Sequence, residues 1–223
     1  MTYTRFAIYD APINDALADF GATWLGWDVR TGNTTRQADV PGLDDITMTP
    51  RKYGFHGTLK PPFRLADGRS VDELQTAAAH LARRCAPAQS GGLALTTLSG
   101  FLALTPKGDL TALERVASAC VRDLDALRAP APDAELERRR SAGLSPRQEA
   151  LMLEWGYPYV MEEFRFHLTL SGRLPEAGRT AWMNTAQTHM PPLAECYEIK
   201  SIALCGERPD GRFEIIQRYT LTG

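Results

Sequence analysis

The sequence lacks several features that would define a protein class at once. Its four cysteines (Cys85, Cys120, Cys196 and Cys205) form no Cys-x-x-Cys pair and have no zinc-site spacing, so neither a zinc site nor a disulfide framework is indicated. No apolar run approaches the roughly 18 residues that a membrane span requires, and the first residues lack the apolar core of a signal peptide. We therefore expect a cytoplasmic protein with buried, reduced thiols.

An excess of charge of either sign is also missing. The chain has 25 basic and 27 acidic residues, a net charge of −2, and 43% hydrophobic residues, which is ordinary for a soluble globular protein. This balance gives no support for binding to extended nucleic acid, so any anion site must be local. Since no apolar run is long enough for a membrane span, we also expect no membrane partner. Neither a G-x-G-x-x-G dinucleotide motif nor a phosphate-binding P-loop occurs, and we expect no cofactor.

One five-residue pattern, in contrast, occurs twice. Residues 55–59 read Phe-His-Gly-Thr-Leu and residues 166–170 read Phe-His-Leu-Thr-Leu, with the two histidines 111 residues apart. In a strand, His and Thr at positions i and i+2 project from the same face, and the apolar neighbours point the other way into a core. The spacing predicts two similar halves that face a shared groove with the catalytic candidates His56, Thr58, His167 and Thr169.

These residue types suit chemistry on phosphorus. Histidine has an unperturbed pKa of about 6.5, so one imidazole can remove a proton from the attacking oxygen while the other donates a proton to the leaving oxygen. The threonine hydroxyls can donate hydrogen bonds to the non-bridging oxygens. The same strand faces add three cations that we expect to bind substrate: Lys60, Arg165 and Arg173. Two histidines could also hold a metal ion, but no third ligand stands at a recognisable spacing.

The stretch from 130 to 156 reads as a helical insertion. One short helix is expected from 133 to 142, before Gly143, and a second is opened by Ser145-Pro146-x-Gln148 and ended by Gly156. Serine at the N-cap, proline at N1 and glutamine at N3 form a good helix start. The first helix carries the run Arg138-Arg139-Arg140. That run is either a solvated helix face or a segment folded over the cleft, in which case Arg139 grips a second phosphate.

Aromatic residues follow this insertion. Trp155, Tyr157 and Tyr159 lie close together in the sequence. They can serve as core or lid packing, or as a platform on which a base stacks. Tyr159 is kept as a substrate-binding candidate because of its location before the second motif.

The remaining pattern predicts an α+β chain. Asn14 is expected to cap the first helix, residues 26–50 to form a long surface loop, and motif strands to run over about 52–59 and 163–171. The last two strands form a hairpin around residues 209–211. We expect one domain over 1–223 with two pseudo-symmetric lobes. Each lobe is an antiparallel sheet with outer helices, and the two lie around a central cleft.

The paired motifs resemble those of the two-histidine phosphoesterase superfamily, which includes RNA ligase-like cyclic phosphodiesterases. A closer resemblance, to a branch of bacterial proteins associated with phosphonate breakdown by carbon–phosphorus lyase, is carried by residues 5–9 (Arg-Phe-Ala-Ile-Tyr), 52–63, 155–160 and 164–174. The resemblance implies a fold of two antiparallel sheets around a cleft and catalysis by His56, Thr58, His167 and Thr169. For the branch, it implies a small phosphoribosyl substrate.

Three functions are compatible with these observations. The first is a metal-independent cyclic phosphodiesterase, a hydrolase acting on a small phosphorylated sugar or nucleotide, in phosphonate degradation. The second is an RNA 2′,3′-cyclic phosphodiesterase of the same chemistry. The net charge of −2 argues against a long RNA substrate but not against a short RNA end. The third is a protein that binds a phosphorylated metabolite without catalysis. The sequence leaves open which histidine is the acid and in which oligomeric state the protein acts.

Overall fold

Helices and strands alternate along the chain. The computed structural model describes residues 2–13, 15–141 and 143–223. Its helices are α1 (Ala16–Leu25), α2 (Leu43–Arg51), α3 (Val71–Arg84), α4 (Thr111–Asp123), α5 (Asp133–Arg140), α6 (Pro146–Trp155) and α7 (Glu176–His189). Its strands are β1 (Phe6–Asp10), β2 (Trp27–Asp28), β3 (Asn33–Thr34), β4 (Gly57–Phe63), β5 (Ala88–Leu98), β6 (Phe101–Lys107), β7 (Leu168–Thr169), β8 (Cys196–Ile199), β9 (Ser201–Glu207) and β10 (Phe213–Thr220). Among these helices, none combines the length and apolar character needed to cross a lipid bilayer.

Eight of the strands form one antiparallel sheet. Their order is β10-β9-β1-β4-β7-β6-β5-β8, and every pairing between neighbours is antiparallel. The α+β class is therefore confirmed, as is the final hairpin of β9 and β10. The expected two sheets, however, are two four-stranded halves of a single sheet. They meet at β4 and β7, so the two motifs stand side by side in its middle.

The seam between these halves is narrow. β4 and β7 share a single register pair, Gly57 with Leu168. The ring of Phe166 packs directly against Gly57, because a Cβ atom built there would lie 2.2 Å from two of the ring carbons. Glycine is therefore required at position 57 by the close approach of the second motif.

The apolar residues of both motifs point into the main core, as the alternation predicts. All five are buried in one cluster of apolar side chains: Phe55, Leu59, Phe166, Leu168 and Leu170. Helix α1 lies against this side of the first motif, since a Cβ atom on Gly21 would overlap the Phe55 ring. The histidine and threonine of each motif are only partly buried. The main core thus fixes one face of each motif and leaves the other face free for chemistry.

Residues 26–50 depart from the predicted surface loop. They contain the β2–β3 hairpin and most of α2. Trp27 is buried and donates from Nε1 to the carbonyl oxygen of Phe213 at 2.7 Å. It belongs to a smaller apolar cluster that includes Tyr9 and Phe213. This segment therefore covers the second face of the first half-sheet, which explains why β1 is buried on both sides.

Several predicted boundaries also shift. The first motif strand starts at Gly57 and runs through Pro61 and Pro62 to Phe63, whereas we expected it to stop at the prolines. The second motif strand is reduced to Leu168–Thr169. Asn14, the predicted cap of the first helix, lies outside the described residues; the side chain of Asp15 accepts from the backbone N–H of Ala18 and caps α1.

The helical insertion forms as predicted, and only one of its helices is anchored. Ser145 and Gln148 form the expected capping box of α6, and Gly156 ends that helix with a positive φ of 77°. Leu151 of α6 is buried in a cluster with Val121 and Val160. Helix α5, in contrast, has no buried residue. Helix α5 therefore lies on the surface of the protein and is held there by polar contacts.

The sheet is strongly curled. Five strand spacings separate β1 from the edge strand β8 in the sheet order, which would place them roughly 24 Å apart if the sheet were flat. Yet the Tyr197 hydroxyl of β8 donates to the Asp10 carboxylate at the end of β1, at 2.5 Å. The curl therefore brings the edge strand β8 of one half-sheet against β1 of the other. The Asp10–Tyr197 hydrogen bond joins the two half-sheets there, in addition to the seam between β4 and β7.

Burial raises the pKa of Asp10 to about 7, although the Tyr197 hydrogen bond and Arg218 oppose the rise. Because the folded-state pKa exceeds the unfolded value of 3.8, this group favours folding most below about pH 4 and loses that contribution as pH rises through 7. We predict that Asp10→Asn, which removes the ionisation, gains stability relative to wild type between pH 4 and 8, by up to about 4 kcal/mol. Urea unfolding of both proteins across this range measures the difference, and a pH-independent difference contradicts the prediction.

A second prediction concerns the seam. Gly57→Ala forces a Cβ atom into the Phe166 ring, so we expect it to lower the free energy of unfolding by about 2–3 kcal/mol, the range of overpacking in a core. Gly178→Ala is the matched control, because a Cβ atom there meets nothing closer than 3.8 Å. That helical substitution should be neutral or stabilising by up to about 1 kcal/mol. Chemical denaturation compares the three proteins; equal stability of wild type and Gly57→Ala would refute the role of the seam.

Candidate active site

The register at the seam pairs each motif with the other. Gly57 lies opposite Leu168, and in an antiparallel ladder one strand advances as its partner recedes. Continuing this register sets Thr58 opposite His167 and His56 opposite Thr169. The two histidines are then diagonal neighbours, with Cβ atoms roughly 7 Å apart. One polar face therefore carries both imidazoles and both hydroxyls, related by an approximate twofold axis.

Each imidazole is held by the same backbone contact. His56 Nδ1 lies 2.9 Å from the carbonyl oxygen of Gly54, and His167 Nδ1 lies 2.7 Å from the carbonyl oxygen of Arg165. In both motifs the partner is two residues before the histidine. A carbonyl oxygen can only accept, so Nδ1 carries a proton in both rings. In the neutral rings Nε2 is therefore the atom with a free lone pair.

A glycine turn makes the first of these contacts possible. Gly54 has a φ of +72°, a conformation that L side chains rarely adopt. A Cβ atom on Gly54 would also lie 2.6 Å from the Val29 side chain. The turn aims the Gly54 carbonyl at His56 and leaves Nε2 of that ring 3.1 Å from the Thr58 hydroxyl.

Both histidines are neutral at neutral pH. The pKa of His56 is lowered to about 4, mainly by burial, against the Gly54 hydrogen bond and with a smaller contribution from the charge of His167. The Tyr9 ring stacks on His56 with 3.6 Å between ring centroids and contributes to this burial. Burial also lowers the pKa of His167 below its usual value, against its own carbonyl contact. The two rings therefore differ, with His56 the harder of the two to protonate.

The motif face opens into a cavity of about 750 Å³. This size lies within the range of small-molecule sites, about 300–1,000 Å³. The side chains that line it include His56, Thr58, His167 and Thr169, four arginines (Arg5, Arg138, Arg139 and Arg165) and four tyrosines (Tyr9, Tyr53, Tyr157 and Tyr159). Glu163 is the only carboxylate among the described lining residues. Cationic side chains therefore outnumber carboxylates in the described lining of the cavity.

Three of the five predicted substrate-binding residues line this cavity. Arg165 is exposed, and its Nη1 donates to the carbonyl oxygens of Glu162 and Phe164. Tyr159 is 45% exposed and packs edge-on against Tyr157, with 5.7 Å between ring centroids. Arg139 reaches the cavity from α5. Their contact with a substrate stays a prediction.

Lys60 does not line the cavity, and its predicted role is wrong. In the β1–β4 ladder Tyr9 pairs with Thr58, but Ile8 pairs with Lys60. One step along β1 thus matches two steps along β4, which is a β-bulge at Leu59. Paired residues share a face, so Thr58 follows Tyr9 into the cavity while Lys60 follows Ile8 into the core.

The environment of Lys60 is that of a structural residue. The side chain is 1% exposed. Its Nζ donates to the carbonyl oxygen of Val121 at 3.0 Å and lies 3.5 Å from the Asp125 carboxylate. Burial lowers the pKa of Lys60 to about 8, although Asp125 opposes the shift. Lys60 therefore ties β4 to the end of α4.

Arg173, a second predicted substrate-binding residue, also does not line the cavity. β7 ends at Thr169, so strand alternation does not extend to residue 173. The chain leaves the ladder there, since the backbone N–H of Leu174 donates to the carbonyl oxygen of Gly100 at 2.8 Å. The Arg173 side chain is exposed, lies beside Gly100 and is not among the residues that line the cavity.

The structure gives the positions of the two segments for which the sequence left alternatives, the aromatic residues at 155–159 and the arginine run at 138–140. Trp155 packs against the Val121–Leu151–Val160 cluster, whereas Tyr157 and Tyr159 line the cavity. Within the arginine run, Arg138 and Arg139 line the cavity, and Arg140 does not. Arg140 instead pairs with Glu137 and Glu149.

The lining residues that sequence reasoning missed include Arg5, Tyr9 and Tyr53. Arg5 and Tyr9 share strand parity in the first strand, so the alternation rule applied to the motifs could have placed them together. Arg5 is neutralised by a two-point contact with Glu207. The Tyr9 hydroxyl is buried and has no hydrogen-bond partner among the described residues. Tyr53 had no local signal, because it follows α2 in a turn.

Metal-ligating residues do not gather at this site. Over the described parts of the chain, no group of three or more His, Cys, Asp or Glu side chains stands close enough to hold a metal ion. The arginines are the cations that the site itself supplies.

Comparison with known proteins identifies a family and two curated relatives. Residues 58–214 match the family described as "Protein of unknown function (DUF1045)". A protein of Janthinobacterium sp. (strain Marseille) named ribose 1,5-bisphosphate phosphokinase PhnN is 41% identical over 184 residues, which is 78% of this chain and 40% of the relative. A protein of the same name from Laribacter hongkongensis (strain HLHK9) is 37% identical over 194 residues, 83% of this chain and 44% of the relative. The chain thus spans less than half the length of these relatives.

Solved structures give weaker similarities. The crystal structure of TT0787 of Thermus thermophilus is 16% identical and aligns over 98% of both chains with a TM-score of 0.46. That of E. coli LigT complexed with NADP+ is 15% identical and aligns over all of both chains with a TM-score of 0.45. Both TM-scores are below 0.5, so these similarities are weak.

Proposed function

The chain belongs to the DUF1045 family, whose description assigns no function, and we propose that it is a metal-independent cyclic phosphodiesterase acting on a small phosphorylated sugar or nucleotide. The observation that carries this proposal is the pair of imidazoles in one cavity. Each has Nδ1 bound to the carbonyl two residues before it, so Nε2 is the atom of each ring that can exchange a proton with a substrate. That of His56 lies 3.1 Å from the Thr58 hydroxyl. A protein that only bound phosphate would have more use for cations than for two proton-transfer groups.

The two histidines take different roles in the proposed hydrolysis. His56 has the lower tendency to protonate, which suits the general base that removes a proton from the attacking water. His167 is then the general acid that gives its Nε2 proton to the leaving oxygen as the phosphorus–oxygen bond breaks. Each transfer of this kind contributes about 10²- to 10⁴-fold in rate. Thr58 and Thr169 donate hydrogen bonds to the non-bridging oxygens, where negative charge grows in the transition state.

The sequence lacks the motif of one large class of kinases, although its curated relatives carry a kinase name. Phosphokinases of the P-loop type need a G-x-x-x-x-G-K-[ST] loop to hold the phosphates, and this sequence contains no Gly-Lys pair at all. More than half of each relative lies outside the match. We therefore place the phosphokinase activity of the relatives in that other part. What this chain shares with them is then a substrate class, phosphorylated ribose compounds, in the breakdown of phosphonates.

Our third prediction concerns the histidine pair. With a nucleoside 2′,3′-cyclic phosphate as the assay substrate in buffer containing EDTA, His56→Ala and His167→Ala should each lower kcat by about 10²-fold or more, the contribution of one proton transfer. His80→Ala, at an exposed position of α3 outside the cavity, is the control and should keep wild-type kcat. Near-wild-type turnover by both motif variants, or loss of wild-type activity in EDTA, contradicts the proposal.

The fourth prediction is the pH profile of kcat/KM, which reports the free enzyme. The base must be deprotonated, so the acid limb should follow the pKa of His56, near 4. The acid must be protonated, so the alkaline limb should follow His167, whose pKa lies below its ordinary value of 6.5. We expect a bell with its maximum in acidic solution. Initial rates measured from about pH 3.5 to 9, a range that brackets both limbs, test this, and an activity that keeps rising above pH 7 excludes the assigned roles.

A further inference from the structure

The arginines of the cavity are not equally neutralised. Arg5 is paired with Glu207 and Arg139 with Glu135. Among the described residues, neither Arg138 nor Arg165 forms an ion pair with a carboxylate, and Glu163 accepts from Gln148. At neutral pH the two imidazoles add no charge, for the reasons given above. The described part of the cavity therefore keeps an excess of positive charge.

Arg139 is the most constrained of these side chains. Its Nη2 donates to Glu135 at 2.7 Å, and its guanidinium carbon lies 4.6 Å from the centre of the Tyr157 ring. Its Nε is buried and has no partner in the described structure. A buried N–H without an acceptor is costly. Arg139 also lines the cavity, so its guanidinium is held where a bound anion can contact it.

Arg138 and Arg139 belong to a different part of the chain from the paired motifs. They lie on α5, which has no buried residue and touches the body through polar groups. The contacts of α5 include Arg139 with Tyr157, Arg140 with Glu149 at 2.8 Å, and Glu135 with Arg64 at 3.9 Å. A helix with no apolar residue buried in the core, but with two arginines in the cavity, is better explained by a ligand than by packing.

Resting on the proposed function, we propose that Arg138 and Arg139 form a second anion site that binds a phosphate monoester of the substrate, separate from the cyclic phosphate at the histidine pair. The substrate class is then a sugar or nucleoside that carries both a cyclic phosphodiester and a phosphate monoester. A guanidinium matches the oxygens of a phosphate monoester in geometry and in charge. The 750 Å³ of the cavity leaves room for such a bisphosphorylated compound.

Matched substrates test this site. Adenosine 2′,3′-cyclic phosphate and its 5′-phosphorylated form differ only in the monoester, and the ratio of their kcat/KM values measures its recognition. We expect wild type to favour the 5′-phosphorylated compound by about 10- to 100-fold, the size of a hydrogen bond to a charged group. Arg138→Gln should lower the ratio and Arg139→Gln should bring it near one. Arg83→Gln, at an exposed position of α3 outside the cavity, is the control and should keep it. A wild-type ratio near one, or an unchanged ratio in Arg139→Gln, overturns the second anion site.

A binding measurement separates this site from the catalytic proposal. Titration calorimetry with ribose 5-phosphate and with ribose needs no turnover. We expect wild type and Arg83→Gln to bind the phosphorylated sugar at least about 10-fold more tightly than ribose, since one charged hydrogen bond suffices for this, and Arg139→Gln to lose that preference. If neither cyclic phosphate is hydrolysed but this pattern is seen, the hydrolase proposal fails and the second anion site stands. Equal binding of both sugars by wild type rejects the second anion site whatever the kinetics show.

Discussion

The close approach of Phe166 to Gly57 is the contact on which the arrangement of the site depends. The two half-sheets share one register pair, and that pair sits under this contact. The register at a single position decides which residues of the two motifs face each other, because side chains alternate along both strands. A shift by one residue would turn one histidine and its threonine into the core. The whole polar face is therefore specified by very little backbone pairing, and the packing of two apolar side chains, Phe55 on Gly21 and Phe166 on Gly57, secures it.

The sequence predicted what depends on local alternation and failed where tertiary pairing intervenes. His56, Thr58, His167 and Thr169 line the cavity because each motif is short, and its apolar neighbours fix the face. The prediction for Lys60 failed two residues further along, because a bulge at Leu59 reverses the parity of the strand. A bulge of this kind is a property of the pairing between β1 and β4. The sequence of residues 57–63 alone does not indicate the bulge. The prediction for Arg173 failed for a similar reason, because the chain leaves the sheet after the two-residue strand β7.

Other parts of the fold had weak or misleading local signals. Residues 26–50 are polar and hold a hairpin with two-residue strands, too short for a periodic pattern, while α2 contains an internal proline. Their structure depends on Trp27 and Val29, whose apolar partners lie on the distant strands β1, β9 and β10. The insertion was predictable, in contrast, because Ser145, Gln148 and Gly156 are helix signals that act within one turn. Which arginine of its basic run enters the cavity depends on the placement of α5, and no rule for a single helix contains that information.

The electrostatics of the cavity link substrate charge to the proposed chemistry. Burial lowers the pKa of both imidazoles, so the proposed general acid lacks its proton above the lowered pKa of His167. A phosphate anion placed beside that ring favours the charged form and raises its pKa. Because the charge of His167 also lowers the pKa of His56, protonating His167 keeps His56 neutral, as a base must be. In the proposed hydrolysis, an anionic substrate therefore brings about the unequal protonation of the two rings. In the proposed second anion site, the arginines on α5 take no part in proton transfer.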